Sequence, residues 1–169
     1  MEKDNKSIST NDKEVLITHL FNAPVDLVFE AFTDPKHLER WFAPNGCTIS
    51  YKSIDVSVGG KFHSCISDPK NGDCWCIGVY KEIIKNKKIV YEIAIADENG
   101  NLTEPATIGM DKEWPMKTLV SITFKEINKQ TEITLRQTVS EKIAKRTGAH
   151  PSWIQMLEKL KEILINKKL

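Results

Sequence analysis

The last helix constrains the fold more than any other part of the chain. Residues 151–166 read PSWIQMLEKLKEILIN. Trp153, Leu157, Leu160 and Leu164 recur at helical spacing, Met156 and Ile163 widen the stripe, and Glu158, Lys159, Lys161 and Glu162 fall opposite. A helix this apolar on one side must lie on something. Most of the remaining sequence alternates as strands with one apolar face, so the helix is expected on the dry face of a sheet.

Val15 to Phe21 alternates, with Val15, Ile17, His19 and Phe21 on one face. Further strands are expected over 47–56, 61–67, 74–84, 88–96, 117–126 and 131–139. Gly59-Gly60, the Asp68 to Gly72 segment, Asn86-Lys87 and Asn128 to Gln130 supply the turns. Val120, Ile122 and Phe124 share a face, as do Ile133, Leu135, Gln137 and Val139. Ile89, Tyr91, Ile93 and Ile95 line up, and so do Trp75, Ile77 and Val79. Phe62, Ser64 and Ile66 belong on the dry side, which puts His63 and Cys65 outside.

Two short helices follow the first strand. Asn22 or Ala23 caps the first, Pro24 suits its opening turn, and Val25, Val28, Phe29 and Phe32 mark its apolar side. Asp34-Pro35 breaks it and starts a second, from Pro35 to Trp41. The fold class is therefore α+β: a curved antiparallel sheet of about seven strands gripping a long C-terminal helix. Residues 1–12 are expected to form a flexible tail, and 13–169 a single domain.

Lys and Arg number 24 against 23 Asp and Glu, a net charge of +1. That balance gives no electrostatic footprint for nucleic acid. No apolar run approaches the roughly 20 residues that span a bilayer, so no membrane partner is expected. The first ten residues, MEKDNKSIST, lack the apolar core of a secretion signal, and a cytoplasmic location is expected. The four cysteines, Cys47, Cys65, Cys74 and Cys76, fit free thiols; only His63 and Cys65 could join Cys74 and Cys76 as zinc donors.

The matching pieces of sequence are NAPVDLVFEAFTDPKHLERWFAP with Asn45-Gly46, then VSVGGKFHS, CIGVYKEIIKNKKIVYE, and Trp153-x-x-x-Leu157-x-x-Leu160. In that order they resemble the START-like helix-grip superfamily. Within it the chain resembles the family related to the C-terminal domain of the activator of the heat-shock-protein-90 ATPase, over about residues 14–165. The resemblance implies a cavity between sheet and long helix, used in many members for hydrophobic or aromatic small molecules. The last helix usually opens with Gly-Trp in this family. Here Ser152-Trp153 stands there, which is expected to narrow one end of the cavity. The co-chaperone that names the family has a further N-terminal domain to which nothing in these 169 residues corresponds. Its function is therefore not carried over.

No catalytic set is legible. His19, His37, His63 and His150 stand apart, and no nucleophile elbow, metalloprotease or phosphate-loop motif occurs. Neither a cofactor nor a metal is expected. The informative residues are aromatic and sulfur-bearing. Trp41, Phe42, Phe62, Trp75, Tyr91, Ile93, Trp114, Met116, Trp153, Met156 and Leu157 are the cavity candidates, with Gln137 as the polar group that would orient a ligand. The long connection 97–116 carries Trp114 and Met116, and a loop that long usually has a job.

Three readings follow. The first is a non-catalytic module for a small hydrophobic ligand, with a cavity of a few hundred cubic ångströms. The second is a chaperone-related or stress-response protein acting through an exposed apolar patch near Trp114 and Met116. The third is a cyclase- or hydrolase-like enzyme, with Tyr91, His19 and Glu92 as candidates. Monomer and homodimer are both compatible with the sequence.

Overall fold

The computed structural model describes residues 13–166. The tail expected over 1–12 lies outside them. The element order is β1 (Glu14–Phe21), α1 (Val25–Thr33), α2 (Pro35–Trp41), β2 (Thr48–Ile54), β3 (Lys61–Asp68), β4 (Gly72–Ile84), β5 (Lys88–Ala96), β6 (Lys117–Ile127), β7 (Gln130–Ser140), α3 (Glu141–Thr147) and α4 (Ala149–Ile165). The strands form one seven-stranded sheet in the order β1-β7-β6-β5-β4-β3-β2, with every neighbouring pair antiparallel. The fold class is the one expected.

The apolar stripe of α4 is buried through Trp153, Met156, Leu157, Leu160 and Leu164. It packs with Val15, Ile17, Ile133, Leu135 and Val139 in a core that also takes in α1 and α2. The helix starts two residues earlier than the sequence suggests. The short helix α3 was not expected, because EKIAKRT is polar apart from two residues; Ser140 caps it by accepting from Ile143 N, and only Ala144 is buried. Gly148, at φ 86°, turns the chain from α3 into α4.

The corner between α1 and α2 follows the expected break. Pro24 itself takes the N-cap position of α1, instead of Asn22 or Ala23. Asp34 closes α1 by donating its backbone N–H to Glu30 O and opens α2 by accepting from Lys36 N at 2.9 Å. Behind α2 the chain is held by the last helix. Lys159 Nζ donates to Ala43 O at 2.7 Å and Pro44 O at 3.3 Å, and Asn45 N donates to Gln155 Oε1 at 2.9 Å. The backbone that follows Phe42 is thereby held against α4.

One expected face is reversed. Directly opposed residues share a face of the sheet, so the pairs Phe62↔Gly78, Ser64↔Cys76 and Tyr80↔Tyr91 put Cys76, Gly78 and Tyr80 on the inner side. Trp75, Ile77 and Val79 therefore point outward, with Cys65, His63 and Lys61 beside them. Glycine at 78 explains the misreading: the inward positions of β4 carry little apolar area, so the outward stripe looks like the dry one. A Cβ on Gly78 would stand 2.1 Å from the Phe62 ring, so glycine is required for that ring to lie across the strand. The outward residues are half-buried because the 97–104 segment folds back over them. Leu102 bridges Ala96, and Thr103 N donates to Ile95 O.

Candidate functional site

A small apolar cavity opens between the inner face of the sheet and the α1–α2 corner. Its helical wall is Phe32 of α1, Leu38 of α2 and Phe42 just beyond. Its floor is Phe62 and Ser64 of β3, Tyr80 of β4, Ile89, Tyr91 and Ile93 of β5, and Ile122 of β6. Tyr51 of β2 closes the side. The open space is small: centres of water-sized spheres have about 30 Å³, enough for a water or two. The few hundred cubic ångströms expected are not present. The rings of Phe42, Tyr51 and Phe62 occupy that volume, and the first two are only half-buried.

All three tyrosines of the chain line this cavity. Tyr80 and Tyr91 are opposed across β4 and β5 with ring centroids 5.8 Å apart, and each lies within 5.8 Å of the Phe62 ring. Burial pushes the Tyr80 phenol up to about 12 and raises those of Tyr51 and Tyr91 further. The hydroxyls stay neutral. The Tyr91 hydroxyl is buried with no protein hydrogen-bond partner among the described residues. Those of Tyr51 and Tyr80 likewise bond to no protein group among the described residues. Among the described residues, no lysine, arginine, histidine or carboxylate lines the cavity.

Comparisons with known proteins agree with this architecture. The sequence profile described as Activator of Hsp90 ATPase homolog 1-like protein matches residues 22–165. The chain belongs to this family. Solved structures give the same fold. A protein of Staphylococcus epidermidis superposes with TM-score 0.74 at 23% identity, covering 96% of this chain and 95% of its own. One of Nitrosomonas europaea gives 0.73 at 21%, covering 95% and 99%. The AHSA1 protein of Silicibacter pomeroyi gives 0.70 at 13%, covering 92% and 99%. No curated protein matches.

In this member of the Hsp90-activator-like family, the structure places four of the candidates, Phe42, Phe62, Tyr91 and Ile93, at this cavity, which lies at the α1–α2 corner and not against α4 as expected. The other candidates go elsewhere. Trp41 is 1% exposed and donates its indole N–H to Ala31 O at 2.9 Å, which makes it a core residue tying α2 to α1. Trp75 stands on the outer face, its ring 5.1 Å from His63 and under the Lys52 ammonium. Trp153, Met156 and Leu157 are buried but do not line the open space, because Phe42 lies between; its ring is 5.5 Å from that of Trp153.

Gln137 is not free to orient a ligand. Its amide donates to Thr118 Oγ1 at 3.0 Å and its carbonyl accepts from Trp153 Nε1 at 2.9 Å. Trp114 is half-buried against the core, while Met116 is 37% exposed and shares its loop with exposed Leu102 and Ile108. The loop that carries them is pinned by Arg146, which donates to Asp111 at 2.8 and 3.1 Å and to Glu113 at 2.7 Å. Ser152 does not narrow the cavity; its hydroxyl turns back to Gly148 O at 2.8 Å.

The enzyme candidates do not come together. His19 lies on β1 against Phe21, and Glu92 faces outward, 4.0 Å from Lys117. Neither touches the cavity that Tyr91 lines. The cysteines are free thiols: Cys74 and Cys76 lie on the inner face of the sheet, Cys65 on the outer, and Cys47 just before β2. Glu30, Asp34 and His37 gather at the outer side of the α1–α2 corner, with both carboxylates facing the imidazole at 3.5 and 3.8 Å.

The sequence reading missed Phe32, Leu38, Tyr51, Ser64, Tyr80, Ile89 and Ile122. Pairing supplies the signal for the tyrosines. Once Ser64 is inward, its partner Tyr51 is too, and once Tyr91 is inward, so is Tyr80.

Proposed function

We propose that this protein is a non-catalytic binding module for a small hydrophobic ligand, seated between the inner sheet face and the α1–α2 corner. The observation that carries this reading is the Tyr91 hydroxyl, buried without a partner at the edge of an apolar cavity. An unsatisfied buried hydroxyl costs about 1–3 kcal/mol, and phenylalanine would fill the same volume without that cost. Three phenols around one void serve folding poorly and serve recognition well. Binding requires the half-buried Phe42 and Tyr51 rings to swing aside, since the closed cavity holds no more than a water or two.

The surface-acting reading has less to stand on. Of the exposed apolar side chains, Leu16 and Leu20 on β1 sit opposite the polar Arg136 and Glu132, which interrupt any patch there. Native mass spectrometry of the purified protein tests the proposal, set beside organic-solvent extraction of the denatured sample. A small apolar molecule released on denaturation is the expected result. Protein that stays empty after incubation with a broad set of apolar metabolites would overturn it.

A further inference from the structure

The lining of the cavity also restricts what kind of molecule it accepts. Resting on the ligand-binding reading above, we infer that the ligand presents one uncharged oxygen acceptor, a ketone-type carbonyl on an otherwise apolar and planar body, to the phenols of Tyr91 and Tyr80.

Four observations converge. First, the polar groups all stand on strands. Tyr80 and Tyr91 are directly opposed on neighbouring strands, and Ser64, also on the inner face, is opposed to Tyr51. Helical residues Phe32, Leu38 and Phe42 and the far floor residue Ile122 offer no polar side-chain atom. A ligand therefore meets polar side chains on the sheet side only. Second, the unused groups are hydroxyls on neutral phenols. A phenol is a better donor than acceptor, and burial keeps all three protonated. Third, nothing in the lining balances a charge. A buried carboxylate without a cation, or an ammonium without an anion, carries a desolvation penalty that hydroxyls alone offset poorly. Fourth, the walls are aromatic and close. A flat body needs less displacement of the Phe42 and Tyr51 rings than a bulky branched one, which would have to force the sheet and helix apart.

A set of four probes of nearly equal size decides the matter: acetophenone, its hydrocarbon isostere α-methylstyrene, benzoate, and phenyltrimethylammonium. Binding is followed by the NMR methyl shifts of Ile89, Ile93 and Ile122, which line the cavity and localise the event. Acetophenone is expected to shift these methyls and to bind about tenfold tighter than α-methylstyrene, the factor for satisfying one orphaned donor. Benzoate and the ammonium are expected to leave them unmoved. In Tyr91→Phe the tenfold advantage of the ketone is expected to vanish while α-methylstyrene binds as before. Equal binding of acetophenone and α-methylstyrene to the unaltered protein would overturn the carbonyl inference and leave the binding module standing. Tightest binding by benzoate or by the ammonium would do the same. If none of the four moves the lining methyls, both readings fall.

Discussion

Tyr91 and Gln137 sit in one row across the inner face of the sheet. The row runs Tyr80, Tyr91, Val120, Gln137, Val15, each paired to the next. Only Val120 separates the two polar residues, a distance of about 10 Å across two strand spacings. Both are buried, at 7% and 6% exposure. Their surroundings differ completely. Gln137 lies where α4 covers the sheet, and both ends of its amide are bonded, to Trp153 and Thr118. Tyr91 lies where α1, α2 and Phe42 form the roof, and its hydroxyl bonds to no protein group among the described residues. A buried polar group with all its partners specifies a fold. One without partners points to something the fold expects from outside. On the proposed reading, the same strand geometry holds a structural end and a receptive end side by side.

The sharpest way to break that division is to truncate neighbouring aromatics. Trp41 and Phe42 are adjacent in sequence, with ring centroids 5.3 Å apart. Trp41 belongs to the structural part and Phe42 to the mouth of the cavity. Trp41→Ala is expected to cost about 3–5 kcal/mol in urea unfolding, the usual range for a large buried aromatic. Phe42→Ala is expected to cost less than half as much, since the ring is half-buried, and to enlarge the cavity. Equal losses would show that Phe42 is core in the same sense as Trp41.

A smaller effect sharpens the structural end. Gln137→Leu leaves the Trp153 indole N–H without an acceptor in the core. About 1–3 kcal/mol of stability is expected to go with it, measured in the same way. A neutral result would mean that the indole finds another partner, and the contrast with Tyr91 would weaken.

His19 supplies a pH test at the structural end. Its Nε2 is buried with no protein partner among the described residues, and burial lowers its pKa below the usual 6.5, partly offset by Glu158 and reinforced by Lys161. The unfolded chain therefore takes up the proton first as pH falls. The neutral histidine's contribution is complete above about 6.5 and is lost progressively as pH drops from there toward the folded value. His19→Gln is expected to flatten the dependence of the unfolding midpoint on pH in that window. An unchanged slope would assign the dependence to other groups.

Most of the fold was readable because it rests on local periodicity. The α4 stripe, the α1–α2 break at Asp34-Pro35 and the alternation of β1, β6 and β7 each state one face plainly. Strand β4 failed because Gly78 removes a side chain from the inward row while Trp75, Ile77 and Val79 enrich the outward one. The cavity was legible only in part. Phe42, Phe62, Tyr91 and Ile93 followed from their faces, but Tyr51 and Tyr80 needed the cross-strand register, which no single strand contains. The roof was misplaced onto α4 because sequence alone does not say that Phe42, held through its neighbours by Lys159 and Gln155, stands between α4 and the open space.

The central claim is that the Tyr91 hydroxyl is kept for a ligand and contributes nothing to the empty fold. Equilibrium urea unfolding of ligand-free Tyr91→Phe tests it most directly. The account predicts stability equal to that of the unaltered protein or higher by up to about 1–3 kcal/mol, because an unpaired buried donor is removed without loss of volume. A loss of about 1 kcal/mol or more would contradict it, since the hydroxyl would then be bonded within the empty fold.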